Sequence, residues 1–173
     1  MTKSGKSWLL KRLVKKLLNN HEKVLVYSGV ADKSWPRGVK LTFNHDVFEN
    51  MLADPKNYGA HVIVDEASIL FRQARSPAKH PNIHELASAG RHCGYTAYFA
   101  TQKPTRLDSM IRENCGECYC FRLGSKKSAK LVYEDYGDRD YNGVPLFELI
   151  GKQKPLEYIH INSNTDKVTL GVL

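Results

Sequence analysis

Apolar residues near the start of the chain recur every three or four positions. These residues are Leu10, Leu13, Val14, Leu17 and Leu18. The spacing puts their side chains on one face and predicts an amphipathic α-helix over residues 7–20. Lysine or arginine fills every position between them. The opposite face is therefore basic, and it is either a solvated helix surface or a contact for a polyanion.

Beyond this helix, short apolar runs alternate with turn residues and helical segments. Strands are predicted at residues 24–27, 39–43, 61–64, 95–101 and 118–123. Helices are predicted at residues 46–53, 83–91 and 109–114. A C-terminal β-hairpin is predicted at residues 156–161 and 168–172. Strands that alternate with helices are typical of an α/β fold in which a mostly parallel sheet is flanked by helices.

Composition narrows the class of protein. The 173 residues are 42% hydrophobic, which is enough for one ordinary domain with a sizeable core. Four cysteines do not make a disulfide scaffold, and no apolar run is long enough to span a membrane. Membrane-embedded, collagenous and secreted disulfide-rich classes are therefore excluded. The formal net charge of +8 favours polyanionic partners such as nucleic acid.

The first seven residues, Met-Thr-Lys-Ser-Gly-Lys-Ser, lie directly before the predicted basic helix. Their ending matches the second half of a phosphate-binding loop, G-x-x-x-x-G-K-[ST]. Backbone N–H groups near a glycine and at a helix N-terminus can bind phosphate. We expect Lys6 to contact the β- and γ-phosphates of ATP and Ser7 to ligate Mg²⁺. The other expected nucleotide-binding residues are Thr2, Lys3, Ser4 and Gly5.

A G-K-S triplet alone also fits a flexible basic terminus. The first glycine of the full motif belongs one position before Met1, so the first core strand is expected to be missing from this chain. A start placed too late, a fragment and a degenerate protein all explain this. We favour the late start, because the downstream catalytic positions are intact.

Polar residues end two of the predicted strands. The run Val-Ile-Val is followed by Asp65 and Glu66, and a later strand leads into Gln102. The carboxyl ends of parallel strands share one edge of a sheet. There Asp65 would hold Mg²⁺, Glu66 would act as general base and Gln102 would contact the γ-phosphate or the attacking water. The alternative is that Asp65, Glu66 and Gln102 are ordinary solvated residues at strand ends. The G-K-S triplet and the helix upstream favour the nucleotide site over this alternative.

Three later segments carry a family resemblance. They are Arg-His-Cys-Gly at residues 91–94 followed by YTAYFATQKPT, Ile-Arg-Glu-Asn-Cys at residues 111–115, and CFRLGSKKSAKLV. Together they resemble the HerA/FtsK branch of P-loop motor ATPases over about residues 1–132. Viral genome-packaging ATPases and the zonula-occludens-toxin-like assembly ATPases of filamentous phages belong to the same neighbourhood, and the R-H-x-G spelling is especially similar to those two groups.

The resemblance implies a RecA-like P-loop ATPase domain over residues 1–173, with a core at 1–132 and an extension at 133–173. It also implies a homo-oligomeric ring that uses ATP and Mg²⁺ to move double-stranded DNA, with a capsid or portal protein as a possible partner. Arg91 would reach the nucleotide of the neighbouring subunit, and Arg112 is the second candidate. The alternatives are a helix cap for Arg91 and a surface ion pair with Glu113 or Asp108 for Arg112.

A basic segment follows the two acids. Over residues 71–80 it is basic, contains proline and lacks apolar periodicity. It is either an ordinary solvated loop or a DNA contact through Arg72, Arg75 and Lys79.

The function predicted from the whole chain is a DNA-translocating ATPase of viral genome packaging. Its expected location is the host cytoplasm or a virion vertex. One rival is a filamentous-phage assembly ATPase, which would be tethered to the inner membrane; we predict no transmembrane helix here. The other rival is a non-hydrolysing relative that binds nucleic acid.

Overall fold

The structure is a computed structural model that describes residues 5–136 and 139–173. The chain divides into two compact units. One unit is Ser7–Gln102, and the other consists of Lys103–Leu173 with Gly5 and Lys6. The prediction of a single domain over residues 1–173 stays a prediction.

The first unit contains a four-stranded parallel sheet. Its helices are α1 (Lys6–Asn19, which enters this unit at Ser7), α2 (His45–Ala53), α3 (Ala67–Gln73) and α4 (Pro81–Ser88). Its strands are β1 (Val24–Ser28), β2 (Lys40–Thr42), β3 (His61–Asp65) and β4 (Thr96–Phe99). The strand order is β2-β1-β3-β4, and each neighbouring pair is parallel. The predicted helix and first four strands are all present, with ends that differ by a few residues.

Helices cover both faces of this sheet. All five residues of β1 are buried, as expected for a central parallel strand. Successive side chains of a strand point to opposite faces, so Val26 and Tyr27 contact different helices. Val26 packs in one cluster with Leu10 of α1, and the Tyr27 ring lies 5.4 Å from that of Phe48 in α2. The predicted α/β architecture is confirmed.

The second unit is built on an antiparallel sheet. Its helices are α5 (Ser109–Glu113), α6 (Lys126–Tyr136) and α7 (Leu146–Lys152). Its strands are β5 (Glu117–Phe121), β6 (Asp140–Tyr141), β7 (Val144–Pro145), β8 (Glu157–Asn162) and β9 (Lys167–Val172). The order β5-β8-β9 confirms the predicted C-terminal hairpin, which is β8 and β9.

The pairing of β5 differs from the mostly parallel pattern that its sequence position suggested. It is antiparallel to β8, with Cys118 opposite Ile161 and Cys120 opposite Ile159. Cys120 and both isoleucines join α6 and α7 in one hydrophobic cluster. Burial of this face against two helices that the sequence did not predict explains the pairing, because the register fixes which side chains face the core.

Two further differences arise from contacts between distant residues. Residues 71–73, predicted as loop, belong to α3, where the Phe71 ring lies 6.2 Å from that of Phe99. Helix α4 begins at Pro81, two residues before the predicted start. Its first N–H groups are bound by Glu49 of α2, a buried side chain that accepts from Asn82 N at 2.9 Å and from Ile83 N at 3.0 Å.

We predict that Glu49→Ala lowers the free energy of unfolding by about 2–3 kcal/mol, because buried N–H donors at the start of α4 lose a charged acceptor. Urea unfolding followed by circular dichroism measures the change. Glu85→Ala, an exposed position on α4, is the control and should change stability little. Equal stability of Glu49→Ala and the parent would contradict the capping role.

Candidate nucleotide-binding site

Helix α1 and strand β3 meet through two side chains. Ser7 is the second residue of α1, and Asp65 is the last residue of β3. The Ser7 hydroxyl donates to Asp65 Oδ2 at 3.1 Å, with Oδ1 at 3.4 Å. Asp65 is only 8% exposed. The structure thus joins the residue expected to close the phosphate loop to the first of the two acids, although they are 58 positions apart.

The spacing of these oxygens suits a magnesium ion. Mg²⁺ binds six oxygens in an octahedron at about 2.0–2.1 Å, which separates neighbouring ligand oxygens by about 2.9 Å. The observed 3.1 Å between Ser7 Oγ and Asp65 Oδ2 is close to this value. A hydroxyl and a carboxylate are both hard oxygen ligands. The residues therefore fit the metal that the phosphate loop implies.

Glu66 follows in an unusual backbone conformation. Its φ and ψ are 67° and 58°, the left-handed region, and it forms the N-cap of α3. This region costs a residue with a side chain roughly 1–2 kcal/mol, and such strain is concentrated at functional positions. The conformation turns the chain sharply between β3 and α3, directly after Asp65.

Gly29 makes room for this turn. Its N–H donates to Asp65 O at 3.0 Å, and a methyl group on Gly29 would lie 3.1 Å from the Glu66 Cβ. A side chain there would press directly on the acid. The sequence showed Gly29 only as a loop residue after β1; its position beside the two acids becomes visible only when β1 and β3 are paired.

The end of β4 is tied to the same turn. Ala100 N donates to Val64 O at 2.8 Å, and Ala67 N donates to Ala100 O at 2.7 Å. Gln102 is exposed two residues beyond Ala100. Gln102 therefore follows the strand end that is bonded to the Asp65–Glu66 turn, at the carboxyl edge of the parallel sheet.

The loop that contains Gly29 is also fastened to α1. The Lys11 ammonium group lies 2.5 Å from Asp32 Oδ2. Hydrogen bonds from Lys11 and Ser34 hold the pKa of Asp32 at about 2, below its ordinary value of 3.8. This carboxylate stays ionised at any pH at which an ATPase would work.

Arg91 lies at the opposite edge of the sheet. It sits in a 3-10 turn, Gly90–Cys93, before β4, and its side chain is exposed. Gly59, two residues before β3, donates to Cys93 O at 2.9 Å, which fixes this turn at the amino edge. The five residues of β3 span roughly 13 Å between the two edges. The structure does not bring Arg91 to Asp65 within one subunit.

The start of the chain is described from Gly5 onward, so Thr2, Lys3 and Ser4 lie outside the described residues. Gly5 has a φ of +82°, a region that glycine adopts readily. A methyl group here would also lie 2.7 Å from Leu173 Cδ1 and 2.9 Å from Phe121 Cε1. Lys6 follows as the first residue of α1.

The remaining predicted residues have different surroundings. Arg112 donates to Asp135 at 2.5 Å and to Leu107 O, and its side chain is 13% exposed. This is a partly buried ion pair with a partner that the sequence did not suggest. Three exposed cations complete the set: Arg72 at the end of α3, with Arg75 and Lys79 in the segment after it.

A family model described as Zonular occludens toxin (Zot) matches residues 39–160. The matched region includes Asp65, Glu66, Arg91 and Gln102, and it begins after Ser7. The chain belongs to the zonular occludens toxin (Zot) family. No curated protein sequence gives a significant match. No helix among the described residues of this Zot-family chain combines the length and apolar character needed to cross a membrane.

Solved structures of genome-packaging proteins share the fold of this Zot-family chain. The genome packaging NTPase B204 from Sulfolobus turreted icosahedral virus 2 in complex with AMPPCP matches with a TM-score of 0.77 and 17% identity. The match covers 98% of this chain and 92% of B204. The same protein in complex with ATP-gammaS gives 0.75 and 18%, over 99% and 94% of the two chains. The P-loop NTPase fold predicted from the sequence is confirmed.

We predict that Glu66→Gly raises the free energy of unfolding by about 1 kcal/mol, because glycine adopts the left-handed conformation without the steric cost. Glu66→Gln keeps that cost and is the control, with stability equal to the parent. Urea unfolding of the three proteins measures both values. A Glu66→Gly protein that is no more stable than Glu66→Gln would contradict backbone strain at this acid.

Proposed function

We propose that this Zot-family chain is an ATP-hydrolysing motor that moves double-stranded DNA during virus or phage assembly. The observation that carries the proposal is the 3.1 Å contact between Ser7 and Asp65, with the strained Glu66 next in the chain. A hydroxyl at a helix start, paired with a buried carboxylate at a strand end, is the arrangement that a Mg²⁺–nucleotide requires. B204, which has the same fold, was solved with ATP analogues, and this supports ATP as the ligand.

Each site residue has a distinct role in the proposed hydrolysis. The N–H groups at the start of α1 and the Lys6 ammonium group bind the phosphates. Ser7 and Asp65 would hold Mg²⁺, which would supply positive charge to offset the charge of the phosphates. Glu66 accepts a proton as water attacks the γ-phosphorus and the bond to the β–γ bridging oxygen breaks. Gln102 orients that water or the γ-phosphate.

Arg91 acts on the nucleotide of a neighbouring subunit in this proposal. Its position at the amino edge keeps it away from the Asp65 edge of its own subunit, so a role in hydrolysis requires a ring or another oligomer. A guanidinium group supplied in this way offsets charge on the transferred phosphoryl group. Arg112 is the weaker candidate, because it would have to leave its partly buried ion pair with Asp135 and its hydrogen bond to Leu107 O.

The proposed DNA contact is made by Arg72, Arg75 and Lys79. All three side chains are exposed and lie within eight positions of one another. Cations of this kind bind the phosphate backbone without sequence preference, which suits a motor that moves along DNA. A capsid or portal protein is the proposed attachment, and the host cytoplasm or virion vertex the proposed location.

Two other functions stay open as candidates. The Zot family match over residues 39–160 supports phage assembly or export as one alternative. The resemblance to phage assembly ATPases in the sequence supports the same alternative. A non-hydrolysing relative that binds nucleic acid is the third candidate; it would bind ATP or DNA without turnover.

We predict that ATP hydrolysis is stimulated by double-stranded DNA and that Glu66→Gln lowers turnover by on the order of 10²–10⁴-fold while ATP binding is retained, because only the general base is lost. Phosphate release measures turnover, and binding of a fluorescent ATP analogue measures affinity. ATP binding by the parent without hydrolysis would favour the non-hydrolysing relative. Equal turnover of Glu66→Gln and the parent would remove Glu66 from the proposed role.

Mixtures of Arg91→Ala and Glu66→Gln subunits test action between subunits in the same assay. Each variant alone should have low turnover. Mixed rings contain sites with an intact Glu66 and an intact Arg91 from the neighbour, so part of the activity should return. Arg37→Ala is the matched control, since it removes an exposed arginine with no proposed role, and its mixtures with Glu66→Gln should show only dilution. A mixture with no gain at any ratio would contradict the role of Arg91.

A further inference from the structure

Two imidazoles and a carboxylate converge outside the nucleotide site. His45 and Asp46 are the first two residues of α2, and His80 is the N-cap residue of α4. Their metal-binding atoms lie within 4.8 Å of one another, and no other group of three such side chains does so among residues 5–136 and 139–173. All three residues belong to the first unit.

The ligand atoms are close to the spacing of a coordinated metal. His45 Nε2 lies 3.7 Å from Asp46 Oδ1, and His80 Nε2 lies 3.9 Å from the same oxygen. A tetrahedral zinc ion with bonds of about 2.0–2.1 Å keeps its ligand atoms about 3.3 Å apart. The two distances to Asp46 Oδ1 exceed this spacing by about half an ångström, and all three ligand atoms lie within 4.8 Å of one another.

The His80 ring is buried and packs edge-on against the His45 ring, with the centroids 5.1 Å apart. The residue is 8% exposed, and its Nδ1 is buried without a hydrogen-bond partner among the described residues. Its Nε2 faces Asp46 at 3.9 Å, which is longer than a hydrogen bond. A polar ring in this position costs free energy, because it has left water without gaining equivalent partners. A bond from Nε2 to a metal gives the ring one strong partner, although Nδ1 stays without a hydrogen bond among the described residues.

We propose that His45, Asp46 and His80 form a binding site for a zinc-type transition-metal ion. Imidazole nitrogen is a preferred ligand of Zn²⁺, Co²⁺, Ni²⁺ and Cu²⁺ and a poor ligand of Mg²⁺, so this site is chemically distinct from the Ser7–Asp65 pair. Three protein ligands leave the fourth position of a tetrahedral ion for water. The Asp46 carboxylate offsets part of the charge of the ion.

The metal would link two separate elements. The partial positive charges at the N-termini of α2 and α4 oppose a cation, but the buried Glu49 carboxylate already binds the first N–H groups of α4. The ion therefore joins the start of α2 to the end of the segment that contains Arg75 and Lys79. Its role is to hold this basic segment in place, and it does not depend on the proposed ATPase function.

The test is titration of the full chain with Co²⁺ and Zn²⁺ in the absence of nucleotide. We expect one Co²⁺ per chain with visible absorption typical of tetrahedral nitrogen and oxygen ligands, displacement by Zn²⁺, and a higher melting temperature with Zn²⁺. His45→Ala and Asp46→Asn should each weaken binding at least about tenfold. Both positions are partly exposed, so these variants can be made without opening the core.

His61→Ala is the matched control. The His61 side chain is 19% exposed and faces the Glu22 carboxylate at 3.9 Å, the same distance as in the His80–Asp46 pair, but without a second imidazole. It should bind Co²⁺ like the parent. A parent that binds no Co²⁺ would overturn the proposal. So would unchanged binding in His45→Ala, which would assign the ion to other ligands such as the cysteines.

Discussion

The contact between Ser7 and Asp65 links the two halves of the candidate site, one at the start of α1 and one at the end of β3. It depends on the way that α1 lies against the parallel sheet. Leu10 and Val14 pack in the same buried cluster as Val26 and Ile63, so the apolar face of the helix determines where its first turn lies. Lys11 on the basic face adds an ion pair with Asp32 in the loop after β1. The apolar spacing of α1 thereby places the Ser7 hydroxyl beside the Asp65 carboxylate, where the two groups can bind a metal ion.

The turn after β3 adds the second constraint. Glu66 keeps a left-handed backbone only because its surroundings hold it there: Gly29 N binds Asp65 O on one side, and Ala100 O binds Ala67 N on the other. Both hydrogen bonds are made by backbone atoms, so they define the turn without using the carboxylate groups of Asp65 and Glu66. The strain that remains at Glu66 is a cost to stability at the residue proposed as the general base, as is common at functional sites.

Features that depend on local pattern were predictable from the sequence. The helix α1 follows from its apolar spacing, and β1 and β3 follow from continuous apolar runs of a length typical of buried parallel strands. The acid pair was found for the same reason, since it ends such a run. These three elements are present, and their ends differ from the predicted ends by at most one residue.

Features that depend on distant partners were not predictable. Helix α3 is stabilised by Phe71 against Phe99, and α4 begins where Glu49 supplies a cap from another helix. The antiparallel pairing of β5 requires β8, about forty residues later. The Asp135 partner of Arg112 was hidden for the same reason. In each case the sequence contains both residues but no local signal that connects them.

The most direct test of the magnesium site is metal dependence of ATP hydrolysis by Ser7→Cys. A thiol is a poor ligand for Mg²⁺ and a good one for softer ions. Hydrolysis by Ser7→Cys should therefore be low with Mg²⁺ and should be partly restored by Mn²⁺ or Cd²⁺, whereas Ser7→Ala should not be restored by any of them. Equal Mg²⁺-dependent rates in Ser7→Cys and the parent would contradict a metal bound between Ser7 and Asp65.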